Sequence, residues 1–254
     1  MKIRFLGTGY GECKIKKKTS KDYRKSGGVI IDDKLLIDAP LDIFELADEL
    51  GLSDLLSDIT DIIISHSHKG HFSAEAITKL SEKKSITVYA TRQVLSLITP
   101  SKNLTLYEIS EFTKFSILDY DIITLPTNHK TEIQDEKCLN FLISGEKSLF
   151  YTLDGGFINT DSFSVLKSFK IDAFIMETAL DCAPSTESNL YHNDIYTNAR
   201  IKDIFLSAKI CHERTKFILS HIPSSKKRAI YDELSPIAKE LGLSLSYDGY
   251  FLRI

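Results

Sequence analysis

Three histidines at the end of an apolar run are the residues of this sequence with the clearest capacity for chemistry. The segment 59–72 reads ITDIIISHSHKGHF and contains His66, His68 and His71, which are three of the seven histidines in the chain. Neutral imidazole nitrogens bind zinc and similar ions, and alternate residues at a strand end converge once the backbone turns. The alternative is a solvated polar turn without a metal. The rest of the chain must decide between the two.

Three more side chains that bind metals follow three separate predicted strands. They are His129, Asp154 and His221, which come after predicted strands at 120–125, 148–153 and 217–219. Because unrelated strands deliver them in the same way, the sequence favours one metal site built from distant segments. Two histidines remain. His192 opens a predicted helix, and His212 lies in a charged turn, where we expect it to be exposed.

Helix and strand patterns alternate in the first and last parts of the chain, with short strands between them. Apolar spacing and capping residues predict helices at 41–50, 74–83, 92–98, 162–169, 194–208 and 225–241. Further strands are predicted at 3–6, 28–32, 34–38, 59–64, 86–90, 104–107, 114–118, 137–144 and 173–176, with a strand-like tail at 243–254. No linker, repeat or low-complexity segment divides the chain. We therefore predict one domain over residues 1–254, of the α/β (α+β) class, with helices on the outer faces of a β-sandwich.

Composition excludes several classes of protein. The chain has 254 residues and a formal net charge of -3, so it has no overall electrostatic reason to bind long nucleic acid or an anionic membrane. No apolar run approaches the ~18 to 20 residues of a membrane span, and the first residues lack the features of a signal peptide. We expect a cytoplasmic protein, with a homodimer left open. The four cysteines lack C-x-x-C spacing and are expected to be reduced thiols.

The motif set resembles that of the metallo-β-lactamase superfamily of metal-dependent hydrolases, over nearly the whole chain. The motifs are HSHKGH at 66–71, His129, Asp154 in LDGG and His221 in SHI. The resemblance implies a four-layer αββα metallo-β-lactamase sandwich with its site at one edge, between the two sheets. It also implies two metal sites that share Asp154, with His66, His68 and His129 at the first and His71 and His221 at the second. One or two Zn²⁺ ions per chain are expected, with Mn²⁺ or Fe²⁺ as alternatives.

One position departs from the superfamily motif. Gly70 stands where the superfamily normally has an aspartate, which is usually a ligand of the second metal. Glycine offers no side chain, so we expect a weakened or more open second site. A mononuclear enzyme is one alternative, and a metal-binding paralogue with impaired catalysis is another.

A narrower resemblance concerns the reaction class. The segments FLGTG, GGVIID, LIDA, the pair at 128–129 and HND at 192–194 resemble the branch that includes the phosphoribosyl cyclic-phosphate phosphodiesterases. This implies hydrolysis of a small anionic phosphodiester by a metal-activated water, with Asp154 and the candidate acid His192 as catalytic residues. His192 as a helix cap or as support for a ligand is an alternative. Glu177 is either such a support or a surface residue. A lactone or thioester hydrolase of the same fold is the alternative activity.

A basic loop at residues 14–25 is the most strongly charged segment. Its cationic residues are Lys14, Lys16, Lys17, Lys18, Lys21, Arg24 and Lys25. Such a density is typical either of solvated surface or of a segment that attracts phosphate. In the fold implied by the resemblance, this loop can overhang the site, so we expect its lysines to raise the local concentration of an anionic substrate.

Overall fold

Two β-sheets packed face to face form the centre of the molecule. A computed structural model describes residues 1–254 apart from 14, 83, 185, 187–189 and 226–229. The strands of the described residues are β1 (Lys2–Phe5), β2 (Gly9–Tyr10), β3 (Val29–Ile31), β4 (Leu35–Ile37), β5 (Asp61–Ile63), β6 (Ile86–Ala90), β7 (Leu104–Glu108), β8 (Lys114–Ile117), β9 (Tyr120–Pro126), β10 (Leu139–Ser144), β11 (Ser148–Thr152), β12 (Ile171–Glu177), β13 (Cys211–Ser220), β14 (Ile222–Pro223), β15 (Ser244–Leu245) and β16 (Phe251–Arg253). The helices are α1 (Ile43–Glu49), α2 (Ser53–Asp58), α3 (Ala74–Ser81), α4 (Arg92–Leu95), α5 (Thr160–Leu166), α6 (Ile195–Ser207) and α7 (Ile230–Glu240).

Strand order places the carboxyl ends of several strands at one edge. The first sheet has the order β16-β1-β3-β4-β5-β6-β7, and the second has the order β15-β13-β12-β11-β10-β9-β8. In the second sheet β11, β12 and β13 are parallel, and β9 shares their direction because it is antiparallel to β10, which is antiparallel to β11. In the first sheet β4, β5 and β6 are parallel. Segments that follow these strands can therefore converge.

Side chains that alternate between the two faces of each sheet build the four layers. In β11, Leu149 and Tyr151 lie in the core between the sheets, whereas Phe150 packs into the core under the helices of the second sheet. Around β5, Ile63 faces between the sheets, and Ile62 lies in the core under the helices of the first sheet. Successive strand residues point to opposite faces, so strands buried on both sides read as continuous apolar runs. The predicted αββα arrangement is confirmed.

Helices cover both outer faces. Helices α1 to α4 pack on the first sheet through Ala47, Leu56, Ile77 and Val94. Helices α5 to α7 pack on the second, where the ring of Phe205 lies 5.2 Å from that of Phe174 on β12. None of the helices in the described part of the chain has the length and apolarity to cross a membrane.

Some elements differ from the sequence prediction. Helix α2 was not predicted, and the strand predicted at 59–64 begins later, at Asp61. The strand predicted at 217–219 extends back to Cys211, so His212 lies in a strand rather than in a turn. The reason is pairing with β12, whose residues align with those of β13 from Ile171 onwards. This pairing outweighs the effect of the charged run in the sequence. The predicted start of the last helix falls partly on 226–229, outside the described residues.

Candidate active site

Six side chains meet where strands of both sheets end. They are His66, His68 and His71 after β5, His129 after β9, Asp154 after β11 and His221 after β13. The structure thus brings together every side chain that the sequence analysis assigned to metal binding. Two overlapping groups arise, each compact enough to hold an ion and each including Asp154.

The first group consists of His66, His68, His129 and Asp154. Nδ1 of His68 lies 3.1 Å from Nε2 of His66 and 3.0 Å from Nε2 of His129. Asp154 Oδ2 lies 3.4 Å from His66 Nε2 and 3.8 Å from His129 Nε2. Zinc ligands at about 2.1 Å from the ion at tetrahedral angles are separated by about 3.4 Å. These spacings fit a single zinc-sized ion.

The second group consists of His71, Asp154 and His221. Nε2 of His71 lies 3.0 Å from Asp154 Oδ2, and Nε2 of His221 lies 2.9 Å from Asp154 Oδ1. Both nitrogens and Asp154 Oδ1 are buried and make no hydrogen bond of acceptable geometry within the described part of the chain. Buried polar atoms without partners are rare in native proteins, and a shared cation would satisfy all three. The residues present therefore fit a metal.

Asp38 orients the ligand nitrogen of His71. The ring donates from Nδ1 to Asp38 Oδ2 at 2.8 Å, which leaves Nε2 directed at Asp154. The carboxylate of Asp38 is fully buried and also accepts hydrogen bonds from the Ser65 backbone at 2.8 Å and the Tyr151 hydroxyl at 3.0 Å. A carboxylate behind a metal-binding histidine sets its tautomer and raises its basicity. No role was predicted for Asp38 from the sequence, because its contacts depend on how β4 pairs with β5.

Burial sets the protonation of the first group. Burial and the neighbouring charge of His71 lower the pKa of His66 to about 4. Burial also outweighs the attraction of Asp154 and lowers the pKa of His129 to about 3. Both rings are therefore neutral at pH 7, with lone pairs available to a metal.

The pKa of His71 shifts in the opposite direction, which indicates a site that favours a cation. Burial opposes charge on His71, but the carboxylates of Asp38 and Asp154 outweigh it and raise its pKa to about 10. Asp154 behaves in the complementary way: burial alone would raise its pKa, and the facing rings of His221 and His71 hold it well below its usual range. Two buried carboxylates around one imidazole favour a proton or a metal ion at its Nε2.

Left-handed backbone turns aim three of these side chains. Asp38, Asp154 and His221 have φ values of 62°, 51° and 54°. Residues other than glycine adopt this region at a cost, Asp and His more readily than most, and such residues cluster at functional sites. Each turn follows the end of a strand and directs a side chain back across the edge of the sheets.

His192 and Glu177 adjoin the cluster. Nδ1 of His192 lies 3.4 Å from Asp154 Oδ1 and 3.5 Å from Glu177 Oε1. Glu177 is almost fully buried and accepts from the backbone nitrogen of Asn193 at 2.8 Å, so it is not a surface residue. The cap of α6 is Asp194, which accepts from the backbone nitrogens at the helix start. The interpretation of His192 as a helix cap is therefore wrong.

Tyr10 forms part of the wall at this end of the site. Its ring centroid lies 5.2 Å from that of His192 and 5.0 Å from that of His221, and 39% of the residue is exposed. No role was predicted for Tyr10 from the sequence, and its turn, GTGYG, contains three glycines whose flexibility allows the close approach. Tyr10 is thus a site residue that was missed.

Glu136 joins the two loops that carry the first group. Its carboxylate accepts from the Ser67 backbone at 2.7 Å, from the Ser67 hydroxyl at 2.5 Å and from the Thr131 hydroxyl at 2.6 Å. Ser67 lies between His66 and His68, and Thr131 lies two residues after His129. Glu136 therefore holds the histidines of both loops in one geometry.

We expect Glu136→Gln to weaken binding of zinc by about tenfold. An amide has one acceptor oxygen, so it cannot accept both hydrogen bonds from Ser67 as a carboxylate does. Loss of such outer partners typically lowers metal affinity 10- to 100-fold. Competition with a chromophoric chelator measures the change in Kd. Glu146→Gln, in the exposed turn between β10 and β11, is the matched control. Equal zinc affinity in the parent and the Glu136 variant would contradict the prediction.

A cavity of about 780 Å³ opens beside the cluster. We call it the Gly70 cavity. Its lining includes three residues of the cluster, His71, Asp154 and His221. Other residues of its lining are Gly70, Leu41, Leu97, Phe72, Glu12 and Asp42. Its size lies within the usual range of small-molecule sites.

The basic loop does not overhang this cavity. Lys18 and Lys21 line a different cavity, where Lys18 pairs with Glu49 and Lys21 lies 4.4 Å from the ring centroid of Tyr231. Lys25 pairs with Glu45, and Arg24 is fully buried. Among the described residues that line the Gly70 cavity, Lys69 is the one lysine or arginine. The expected recruitment of phosphate by the loop lysines is therefore not supported, and Lys14 lies outside the described residues.

His212 and the cysteines lie apart from the cluster. Nε2 of His212 is 3.5 Å from Asp172 Oδ1, and its side chain is 38% exposed. Within the described residues, the four cysteines form no disulfide with one another.

Comparisons with solved structures show the same architecture. The metallo-β-lactamase fold protein YhfI from Bacillus subtilis matches with a TM-score of 0.74 and 18% identity, over 99% of this chain and 98% of that one. Zn²⁺-bound PqqB from Methylobacterium extorquens matches with a TM-score of 0.76 and 16% identity, over 100% of both chains. A diphosphatase from the PhnP family matches with a TM-score of 0.71 and 19% identity, over 99% and 97% of the two chains. No family model and no curated protein matches the sequence. Similarity at this level shows the fold that these structures share.

Proposed function

We propose that this chain, which has the metallo-β-lactamase fold, is a metal-dependent phosphodiesterase that hydrolyses a small anionic phosphodiester. One observation carries the proposal. Five histidines from three strand ends surround the buried carboxylate of Asp154, which follows a fourth strand, and a sixth histidine, His192, touches the same carboxylate from the side of Glu177. This arrangement supplies both a metal centre and a proton donor beside it.

The chemistry of the donor atoms suits zinc. The first group offers three imidazoles and one carboxylate, and the second offers two imidazoles and the same carboxylate. We propose one or two Zn²⁺ ions per chain, with Mn²⁺ or Fe²⁺ able to occupy the same ligands. Divalent ions held there supply Lewis acidity and an activated water for attack on phosphorus.

The protein supplies the remaining functions. His192 donates a proton to the leaving oxygen, and Glu177 orients and charges its ring from behind. The ring of Tyr10 packs edge-on against that of His192. The volume of the Gly70 cavity suits a small substrate. Lys69 would add to the positive charge that a bound metal would supply to the phosphate, because the described lysines of the basic loop are absent from the lining of this cavity.

Two of the structural neighbours agree with this proposal. One is a diphosphatase from the PhnP family, and another is a zinc-bound protein. Their names describe those proteins, and they support a phosphate ester and a zinc centre here only through the shared fold.

The proposal is tested with bis(p-nitrophenyl) phosphate. We expect the purified chain, stripped of metal and reloaded with Zn²⁺ or Mn²⁺, to release p-nitrophenol, and the stripped protein to be inactive. A thioester and a lactone serve as comparison substrates. Turnover of either of these without turnover of any phosphodiester, at full metal occupancy, would assign the chain to the alternative activity.

Gly70→Asp distinguishes an active enzyme from an impaired paralogue. A Cβ at position 70 would lie 3.4 Å from its closest neighbour, Ser26 Oγ, and the backbone there is not left-handed, so the new side chain fits without strain. We expect the variant to hold the second ion more tightly, by about tenfold or more for one added carboxylate ligand. Elemental analysis after dialysis against chelator measures the metal retained.

The activity of the same variant decides between the two interpretations. If the parent hydrolyses phosphodiesters, the natural protein is an enzyme with an open second site. If only Gly70→Asp is active, the natural protein is the impaired paralogue. Ser101→Asp, at an exposed position whose backbone is not left-handed, controls for effects of added charge on the fold.

A further inference from the structure

The Gly70 cavity contains an apolar wall that faces the metal cluster. Leu41 is 41% exposed and Leu97 is 45% exposed, while Phe72 beside them is 7% exposed. All three line the same cavity as Asp154 and His221. When a ligand covers large apolar side chains that are exposed together inside a cavity, their removal from water lowers the free energy. The wall therefore suits an apolar ligand group.

Gly70 lines the same cavity and leaves space there. A Cβ at this position would have Ser26 as its neighbour within 4 Å, with Oγ at 3.4 Å and Cβ at 3.9 Å. The backbone does not require glycine, because φ lies outside the left-handed region. The absence of a side chain at position 70 therefore adds to the open volume of the cavity.

The charges on the wall disfavour a second anionic group. Glu12 and Asp42 line the Gly70 cavity, and Lys69 is its one lysine or arginine among the described residues. Burial raises the pKa of Asp42, which shows that its surroundings already oppose negative charge. A ligand with a further phosphate or carboxylate on this side would meet repulsion from both carboxylates.

We infer that the Gly70 cavity binds an uncharged apolar substituent of the substrate, such as an aryl or branched alkyl group, while the phosphate lies at the metal cluster. The substrate class is thus a monoanionic phosphodiester with one bulky apolar ester group. This inference rests on the proposed function for the position of the phosphate. The apolar wall, the open space at Gly70 and the two carboxylates set the character of the substituent.

Two esters with the same leaving group test the inference. They are methyl p-nitrophenyl phosphate and phenyl p-nitrophenyl phosphate, so that their difference lies in the group that stays on phosphorus. We expect the zinc-loaded protein to prefer the phenyl ester in kcat/KM. Leu41→Ser and Leu97→Ser should each reduce the phenyl-to-methyl ratio by about tenfold, since each removes much of the apolar contact with the ring. Leu118→Ser, at a leucine with 46% exposure outside the cavity, should leave the ratio unchanged.

Binding without hydrolysis separates this inference from the proposed function. Methylphosphonate and phenylphosphonate have no ester bond, and calorimetry measures their affinity for the same zinc-loaded variants. If neither ester is hydrolysed but phenylphosphonate binds more tightly in a manner that depends on Leu41 and Leu97, the proposed function fails and the inference stands. If the esters are hydrolysed and neither leucine variant changes the phenyl preference in kinetics or binding, the inference is overturned and the proposed function stands. Unchanged thermal unfolding confirms that the variants are folded.

Discussion

Asp154→Asn is expected to remove bound metal and nearly all activity. The two oxygens of Asp154 face different partners, with Oδ2 at 3.0 Å from His71 and Oδ1 at 2.9 Å from His221. The same Oδ2 lies 3.4 Å from His66 in the first group. An amide keeps the shape but loses the negative charge and one acceptor, so both groups are weakened by one change. Since a single outer partner is worth 10- to 100-fold in affinity, we expect loss of a shared ligand to cost ~10³-fold or more in kcat/KM.

Elemental analysis and phosphodiester turnover measure this result together. Asp172→Asn is the matched control, because Asp172 also accepts a backbone hydrogen bond and pairs with a lysine but lies away from the cluster. We expect the control to retain the parent's metal content and rate. Parent-like metal content and turnover in Asp154→Asn would show that Asp154 is not a shared ligand.

The three histidines at 66–71 were predictable because their signal is local. A β-branched run that ends in HSHKGH places histidines at a strand end, whatever the rest of the fold does. His129, Asp154 and His221 were found in the same way, since each follows an apolar segment whose direction in a parallel sheet determines where its end lies. This prediction needs only the order of the strands along the chain, which the sequence patterns indicate.

Asp38 was not predictable, because its role depends on register. The parallel pairing of β4 with β5, with Ile37 opposite Ile63, brings Asp38 beside Ser65 and His71. A shift of one residue would direct the carboxylate elsewhere. Glu136 presents a similar difficulty, since it reaches Ser67 from a loop 69 residues away in sequence without a regular pattern.

The basic loop shows why charge density alone misleads. Arg24 counts as surface charge in the sequence, yet it is fully buried and donates to the Thr8 hydroxyl at 2.7 Å and the Ser246 carbonyl at 2.9 Å. Lys18 and Lys25 are held by acidic residues of α1. The number of lysines in a segment does not reveal which helix the segment packs against, and that contact decides whether the charges face the site.

His192→Gln tests the proposed role of His192 as the proton donor. If His192 protonates the leaving oxygen, the decrease in rate when His192 is replaced should depend on how much the leaving group needs a proton. We expect kcat to fall by about 10²- to 10⁴-fold for an ester with an alkyl leaving group, as is usual for loss of a general acid. For a p-nitrophenyl ester, whose leaving anion is stable, the loss should be several-fold at most.

The pH profile provides a second measurement. Burial opposes charge on His192, but its contact with the Glu177 carboxylate and the charges of Glu177 and Asp154 outweigh burial and raise its pKa. A raised pKa keeps the acid protonated to higher pH, so the parent's rate on the alkyl ester should fall only as pH rises through that pKa. We expect this alkaline fall to be absent in His192→Gln. In Glu177→Gln it should move to lower pH, because the interaction that raises the pKa is removed.

Metal analysis of the same variant decides between an acid and a ligand. Asp154, Glu177 and His192 are themselves close enough to hold an ion, so His192 could act as a metal ligand on this side of the cluster. An acid leaves metal content unchanged when it is removed, whereas a ligand does not. His212→Gln, on β13 and away from the cluster, controls for the loss of a histidine. Equal losses on both esters, accompanied by loss of metal, would make His192 a ligand and leave the protonation of the leaving group to another residue.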